Sequence, residues 1–285
     1  MCNDKEKELY HKKDLERLRR LRPIDDDFMR CLFKDNISLV QLVLRLITGK
    51  KNLKIVRLET QRDMKRIAGS RSIVLDVYAV DDQGVVYDLE IQRDNYGTDA
   101  SRARYHSSVL DVENLKPKQD FNKLPETYTI FITEHDIFRM GKPQYFIDRN
   151  NRTIRKRFRD KAHIIYVNGQ YRGDTELGKL MHDFCCSEPE HMKIPLMKET
   201  VLFYKTDPKG VAIVCEIWEE VRREGREQGI AEGRKQGRRQ GRRQGMELYE
   251  NLILHLTEDN RLNDLAEIAK NRDYAKKLFE EYHLA

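Results

Sequence analysis

The chain has 285 residues, enough for one large domain or two small ones around a real hydrophobic core. Hydrophobic residues make up 39% and charged residues 36%, which excludes a disordered chain on one side and, with no apolar run of membrane-span length, a membrane partner on the other. The formal charge of +6 sits in one place: residues 222–245 hold nine Lys/Arg against three Asp/Glu, and the rest of the chain carries 45 of each sign, so the excess is a local cationic arm.

The first 22 residues are charged and have no apolar stretch, so they are no secretory signal. The five cysteines (Cys2, Cys31, Cys185, Cys186 and Cys215) are odd in number and form no CxxC pair, which points to a reducing, cytoplasmic setting. The eight histidines form no HxxxH or His/Cys cluster that would suggest zinc.

Along the chain, residues 4–21 read as a short charged helix. Pro23 and the acids Asp25–Asp27 open a second helix that carries Phe28, Leu32, Phe33, Ile37, Val40, Leu44 and Ile47 and stops at Gly49. Residues 53–61 are a first strand, and the stretch from Ser72 to Gln92 supplies two more around a turn. A helix over 97–115, an apolar central strand over 127–133, another strand over 162–169, and helices over 175–186 and 196–224 follow. This order predicts an α/β sandwich around one mixed sheet.

The hairpin carries acids inside its strands, where acids are scarce. Its turn, "DQG" over 82–84, suits a three-residue loop with Gly84 in the left-handed position. That register sets Asp76 opposite Glu90 and Tyr78 opposite Asp88. One face is then apolar (Ile73, Leu75, Val77 and Ala79 against Tyr87, Leu89 and Ile91), and the other gathers Asp76, Asp88, Glu90 and Gln92. Two readings stand. Either a hard divalent cation is shared by facing carboxylates, or the acids line a solvated outer face, the expected fate of Asp88.

The spacing Asp76–x13–Glu90–x–Gln92, with an acidic helix before it, resembles the PD-(D/E)xK nuclease superfamily. The wording "LDVYAVDDQGVVYDLEIQ", the earlier "DDDFMRCLF", the later "SRARYHSSVLD" and a glycine repeat near the C-terminus are similar to its Rpn branch of recombination-promoting nucleases and transposases, over roughly residues 22–170 and the tail. The resemblance implies a restriction-endonuclease-like core, a mixed central sheet flanked by helices with a C-terminal helical extension. It also implies a Mg²⁺- or Mn²⁺-dependent DNA endonuclease, linked to recombination or mobile elements, that hydrolyses phosphodiesters in line without a covalent intermediate.

Carried over residue by residue, Asp76 and Glu90 would hold the metal and Asp27 would match the first acidic position, where the alternative is a helix-dipole acid. Gln92 stands where the superfamily has lysine. An amide cannot act as a base, so Gln92 would only orient the attacking water. Arg102 and Tyr105 match the branch's Arg/Tyr helix and could contact Gln92 or a phosphate; the alternative is a surface Arg and a packing Tyr. His106 reads as a plain surface histidine.

These readings divide the chain into a charged N-terminal helix (1–21), a nuclease-like core (22–186), a helical extension (187–224), a Gly/Arg repeat (225–245) and a C-terminal helical segment (246–285). Glycine recurs at 225, 229, 233, 237, 241 and 245. Each costs a helix roughly 1 kcal/mol against alanine, and a four-residue step overshoots a turn by about 40°. A linker or helical spacer is expected first, with Arg238, Arg239, Arg242 and Arg243 next as contacts to DNA phosphates. The last segment could pair two copies into a homodimer. The competing reading of the whole is a catalytically weak nuclease-fold protein that binds DNA through its basic tail.

Overall fold

Three helices lead into the sheet. The computed structural model of the chain describes residues 4–64, 73–93 and 99–284. After α1 (Asp4–Arg20), the stretch expected to be one helix is two, α2 (Asp26–Phe33) and α3 (Ile37–Thr48). The break is local. Asp35 takes a left-handed φ of 55°, which short polar side chains tolerate. Asn36 Oδ1 then accepts the Leu39 N–H at 3.1 Å and caps the new helix. Gly49 closes α3 at φ +73°, the usual glycine ending.

The antiparallel meander of β1 (Ile55–Met64), β2 (Ile73–Asp81) and β3 (Val86–Gln92) follows. Its second turn has the expected geometry. Gly84 is left-handed at φ +78°, Asp81 N–H donates to the Val85 carbonyl at 3.0 Å, and Tyr78 pairs with Asp88. The Asp81 carboxylate fixes the loop by accepting the N–H groups of Gln83 and Val85.

Helix α4 (Ala100–Asn114) begins at Asp99, whose carboxylate accepts the N–H groups of Ser101 and Arg102; the expected helical residues 97 and 98 lie outside the described residues. Strand β4 (Thr127–Thr133) pairs parallel with β3. Then come three strands with no clear sequence signal: β5 (Gln144–Ile147), β6 (Asn150–Asn151) and β7 (Lys156–Arg157). Strand β8 (Ala162–Asn168) pairs parallel with β4, and β5 lies antiparallel on its outer edge. The six-stranded sheet, β1-β2-β3-β4-β8-β5, is mixed, so the α/β class expected from the element order holds, with β4 central as expected.

Both faces of the sheet are covered. On one, Ala103 of α4 packs on Phe131 and Tyr166, and Tyr78 Oη donates to Asn114 Oδ1 at 2.9 Å. On the other, the registered row Tyr87–Tyr128–His163 stacks at centroid distances of 5.4 and 4.6 Å. Lys50 Nζ, just past α3, lies 4.4 Å from the Tyr128 ring centre.

Helices α5 (Glu176–Phe184), α6 (Pro195–Thr206) and α7 (Pro208–Glu258) follow. The helix expected over 196–224 is thus divided, because Pro208 lacks an N–H and holds Asp207 in an extended conformation.

The described chain forms two compact units, Met1–Trp218 and Glu219–Ala285. The glycine repeat does not interrupt α7, a helix of 51 residues. Between its glycines the repeat holds Arg, Lys, Gln, Glu and Ala, all strong helix formers, with one Ile; their propensity offsets the glycine cost that alone predicts a weak helix. In the second unit, Leu252 and Leu256 of α7 pack with Ile268 of α8 (Leu262–Ile268) and with Ala275 and Leu278 of α9 (Arg272–Glu281).

Candidate active site

The site forms where β2 and β3 part. Their ladder runs from Val80–Val86 to Val77–Leu89. Beyond it, side chains take over the backbone's role. Asp76 Oδ2 accepts the Ile91 N–H at 3.1 Å, and Glu90 Oε1 accepts the Asp76 N–H at 3.0 Å. The two acids expected to face each other are therefore locked across the fork by a reciprocal pair of bonds. Each keeps one further oxygen on a weaker partner: Asp76 Oδ1 on Gln61 Nε2 at 3.3 Å and Glu90 Oε2 on Arg102 at 3.3 Å.

Helix α4 closes over this face, which corrects the solvated outer-face reading. Asp88 is 0% and Glu90 1% exposed. His106 is also correctly placed only by the structure: it is 1% exposed, with Nδ1 3.0 Å from Asp88 Oδ2. The Arg102 Nε–H donates to His106 Nε2 at 3.3 Å, which leaves the ring proton on Nδ1, facing Asp88. The signal for this was present in the spacing: Arg102 and His106 are one helical turn apart.

The electrostatics follow from burial. Asp88 is pushed up to about 8, chiefly by desolvation, with the Asp76 charge adding to it. Burial, then the charges of Asp88 and Asp76, hold Glu90 well above the ordinary carboxyl range. Asp76 is raised to about 6 by burial, opposed by its Ile91 hydrogen bond. His106 is lowered, first by burial.

The donor set suits a divalent cation. Asp88, Glu90 and His106 each offer one ligand atom, all within 4.8 Å of one another. Asp88 Oδ1 is buried with no hydrogen-bond partner among the described residues, as is Thr129 Oγ1, its registered neighbour on β4. Oxygen donors from carboxylates are what Mg²⁺ and Mn²⁺ take; an imidazole favours Mn²⁺ of the two.

The remaining residues singled out in the sequence are spread more widely. Gln92 ends β3, partly buried, paired with Thr133, and its carbonyl accepts the Glu134 N–H at 3.0 Å. Tyr105 is on the exposed side of α4. Asp27 pairs with Arg17; the helix acid whose charge reaches Asp76 is its neighbour Asp26, itself 3.4 Å from Arg30. Arg238, Arg239, Arg242 and Arg243 are exposed on α7, in the second unit, and Arg243 pairs with Glu247 at 3.1 Å.

No helix among the described residues is long and apolar enough to cross a membrane. No curated protein and no solved structure shows significant similarity to the chain. A family model, that of the PD-(D/E)XK nuclease family transposases, matches residues 34–170. The match spans β1 to β8 and with them Asp76, Asp88, Glu90, Gln92, Arg102 and His106, and leaves Asp27 and the glycine repeat outside it. Over residues 34–170, the chain is similar to the PD-(D/E)XK nuclease family transposases.

Proposed function

We propose that this protein is a metal-dependent DNA endonuclease, associated with recombination or mobile elements, that hydrolyses phosphodiester bonds at the β2–β3 fork. The observation that carries the reading is the reciprocal lock of Asp76 and Glu90, two acids held across the fork beside a third, Asp88, with a spare oxygen. Asp76 and Glu90 would hold Mg²⁺ or Mn²⁺ across the fork, with Asp88 and His106, the two donors grouped with Glu90, completing the site. When bound, that cation offsets phosphate charge and lowers the pKa of an attacking water. Arg102 supports the Glu90 carboxylate through its 3.3 Å contact and, being 35% exposed on its side chain, has donors to spare for a phosphate oxygen. Gln92 orients the water; it accepts no proton from it. Asp27 contributes to the acidic entrance and Tyr105 to substrate contact. The arginines at 238, 239, 242 and 243 add non-specific phosphate contacts. The protein acts in the cytoplasm, in keeping with Cys31, Cys185, Cys186 and Cys215 all being free thiols.

Gln92 favours one second reading, a nuclease-fold DNA-binding protein with little catalysis. Supercoiled-plasmid cleavage separates the two. The endonuclease reading expects nicking or linearisation with Mg²⁺ or Mn²⁺, lost on Asp76→Ala and on Glu90→Ala and increased about tenfold on Gln92→Lys. Cleavage that survives both acid substitutions would move the site elsewhere. Salt-sensitive binding without cleavage by any form would favour the second reading.

A further inference from the structure

The strongest unassigned feature is the segment between β5 and β8. Residues 148–161, "DRNNRTIRKRFRDK", hold seven Lys/Arg and two Asp. They fold as a small hairpin: Asn150 pairs with Arg157 and Asn151 with Lys156, and the Phe158 N–H donates to the Arg149 carbonyl at 2.8 Å. Asn151 Oδ1 closes the tip by accepting the N–H groups of Thr153 and Ile154 at 3.1 and 3.3 Å. The two acids are used at the base. Asp160 pairs with Arg149, and Asp148 lies 3.4 Å from Arg157 and 3.0 Å from His163. Arg152, Arg155, Lys156, Arg159 and Lys161 remain exposed and make no ion pair with any described residue. Ile154 at the tip is 60% exposed and Phe158 is 62% exposed.

A cationic ribbon with apolar side chains left in water is not explained by folding. Arg155, Arg159 and Lys161 also take left-handed φ values of 52°, 59° and 63°, which costs a residue with a Cβ stability. A two-stranded ribbon is narrow enough to enter the major groove of duplex DNA, where phosphates flank it on both sides. Three of the five unpaired cations are arginines, whose fork matches a phosphate.

The placement fits. Arg149 and Asp160 act electrostatically on Asp111 of α4, so the hairpin base lies on the α4 side of the sheet, the side that carries Asp88 and Glu90. Ala162, just past the hairpin, shares a row with Thr127 and Val86, four residues before Glu90. Strand rise and spacing put the hairpin base roughly 17 Å from Glu90, within one turn of duplex.

We propose that the 148–161 hairpin is a grip for the backbone of duplex DNA, holding the substrate across α4 while a phosphate reaches the fork. This rests on the endonuclease reading for its partner, and its test does not use cleavage. The full chain with Arg152→Gln, Arg155→Asn, Lys156→Gln and Arg159→Asn is compared with wild type; asparagine suits the two left-handed positions, and Arg149 and Arg157 are left to their ion pairs. Anisotropy of a labelled 30-base-pair duplex is read in EDTA across a salt series. The variant is expected to bind at least about tenfold more weakly at 0.1 M salt and to lose about 3 from the log–log salt slope, with an unchanged circular dichroism spectrum. Equal affinity and slope in variant and wild type would overturn the hairpin grip and leave the nuclease reading standing. Preference of the hairpin for anionic vesicles over duplex would also overturn it. A wild type that neither binds duplex nor cuts plasmid would sink both.

Discussion

Replacing Asp88 by asparagine should stabilise the metal-free protein at high pH. Asp88 Oδ2 lies 3.0 Å from His106 Nδ1, Oδ1 has no hydrogen-bond partner among the described residues, and the side chain is wholly buried. The charged groups facing it are Asp76 from β2, Glu90 from β3, and His106 and Arg102 from α4. Folded Asp88 keeps its proton up to about pH 8, whereas the unfolded chain releases it near 4. Between those values unfolding releases a proton, so stability falls as pH rises and is lost progressively from about pH 4 to pH 8. At about 1.4 kcal/mol per unit, the loss reaches a few kcal/mol above pH 8. Asparagine has nearly the same shape, carries no charge, and its Oδ1 still accepts the His106 N–H. Chemical denaturation in EDTA, at pH 5 and pH 8.5, checks this. Wild type should lose a few kcal/mol between the two and Asp88→Asn clearly less, the two proteins agreeing to within about 1 kcal/mol at pH 5. Equal pH slopes in both proteins would refute a buried, proton-holding Asp88. Added Mn²⁺ should restore wild-type stability at pH 8.5, because a bound cation replaces the missing proton.

The repeat offers an independent test. A Cβ at Gly233, Gly237 or Gly241 meets nothing within 4 Å, and all three lie inside α7, so the triple change to alanine should add about 3 kcal/mol of helix propensity, read as a higher melting temperature and stronger 222 nm ellipticity; no gain would mean the repeat is not helical in solution. Removing residues 225–285 should convert a dimer to a monomer by light scattering if the C-terminal helices pair two copies, and an unchanged number of copies per particle would end that expectation.

Most of the sheet could be read from the chain because its signals are local. The turn chemistry of Asp81 to Gly84 set the β2–β3 register, and the apolar run of Thr127–Thr133 marked a strand buried on both faces. The departures arise where a short-range preference competes with a longer pattern. Asp35 and Asn36 divide a helix whose apolar spacing runs on through them, and Pro208 divides another. The β6–β7 hairpin left no trace because two-residue strands of Asn, Lys and Arg carry neither alternation nor β-propensity. At the repeat the glycines counted one at a time weigh against a helix, and the strength of their fifteen neighbours decides for the helical spacer over the linker.

The candidate site was legible as a set of acids but not as an environment. Alternation placed Asp76, Asp88 and Glu90 on one face, and only the packing of α4 determines whether that face is wet. Had it been solvated, Asp88 would be an ordinary ionised acid with no reason to be there. Beneath Arg102 and His106 its charge has to be cancelled. Arg102 reaches Glu90 and His106 but no oxygen of Asp88, and His106 is held neutral by burial, so neither cancels the charge of Asp88. A proton does so below pH 8, and a divalent cation at the fork can do so above it. The same burial that makes the metal-free site costly at high pH thus makes cation binding favourable there. Metal affinity should therefore rise with pH through the range in which Asp88 gives up its proton, and titration of Mn²⁺ into the protein at pH 6 and pH 8.5 should show tighter binding at the higher value, a difference that Asp88→Asn reduces, Glu90, also raised by burial, keeping the remainder.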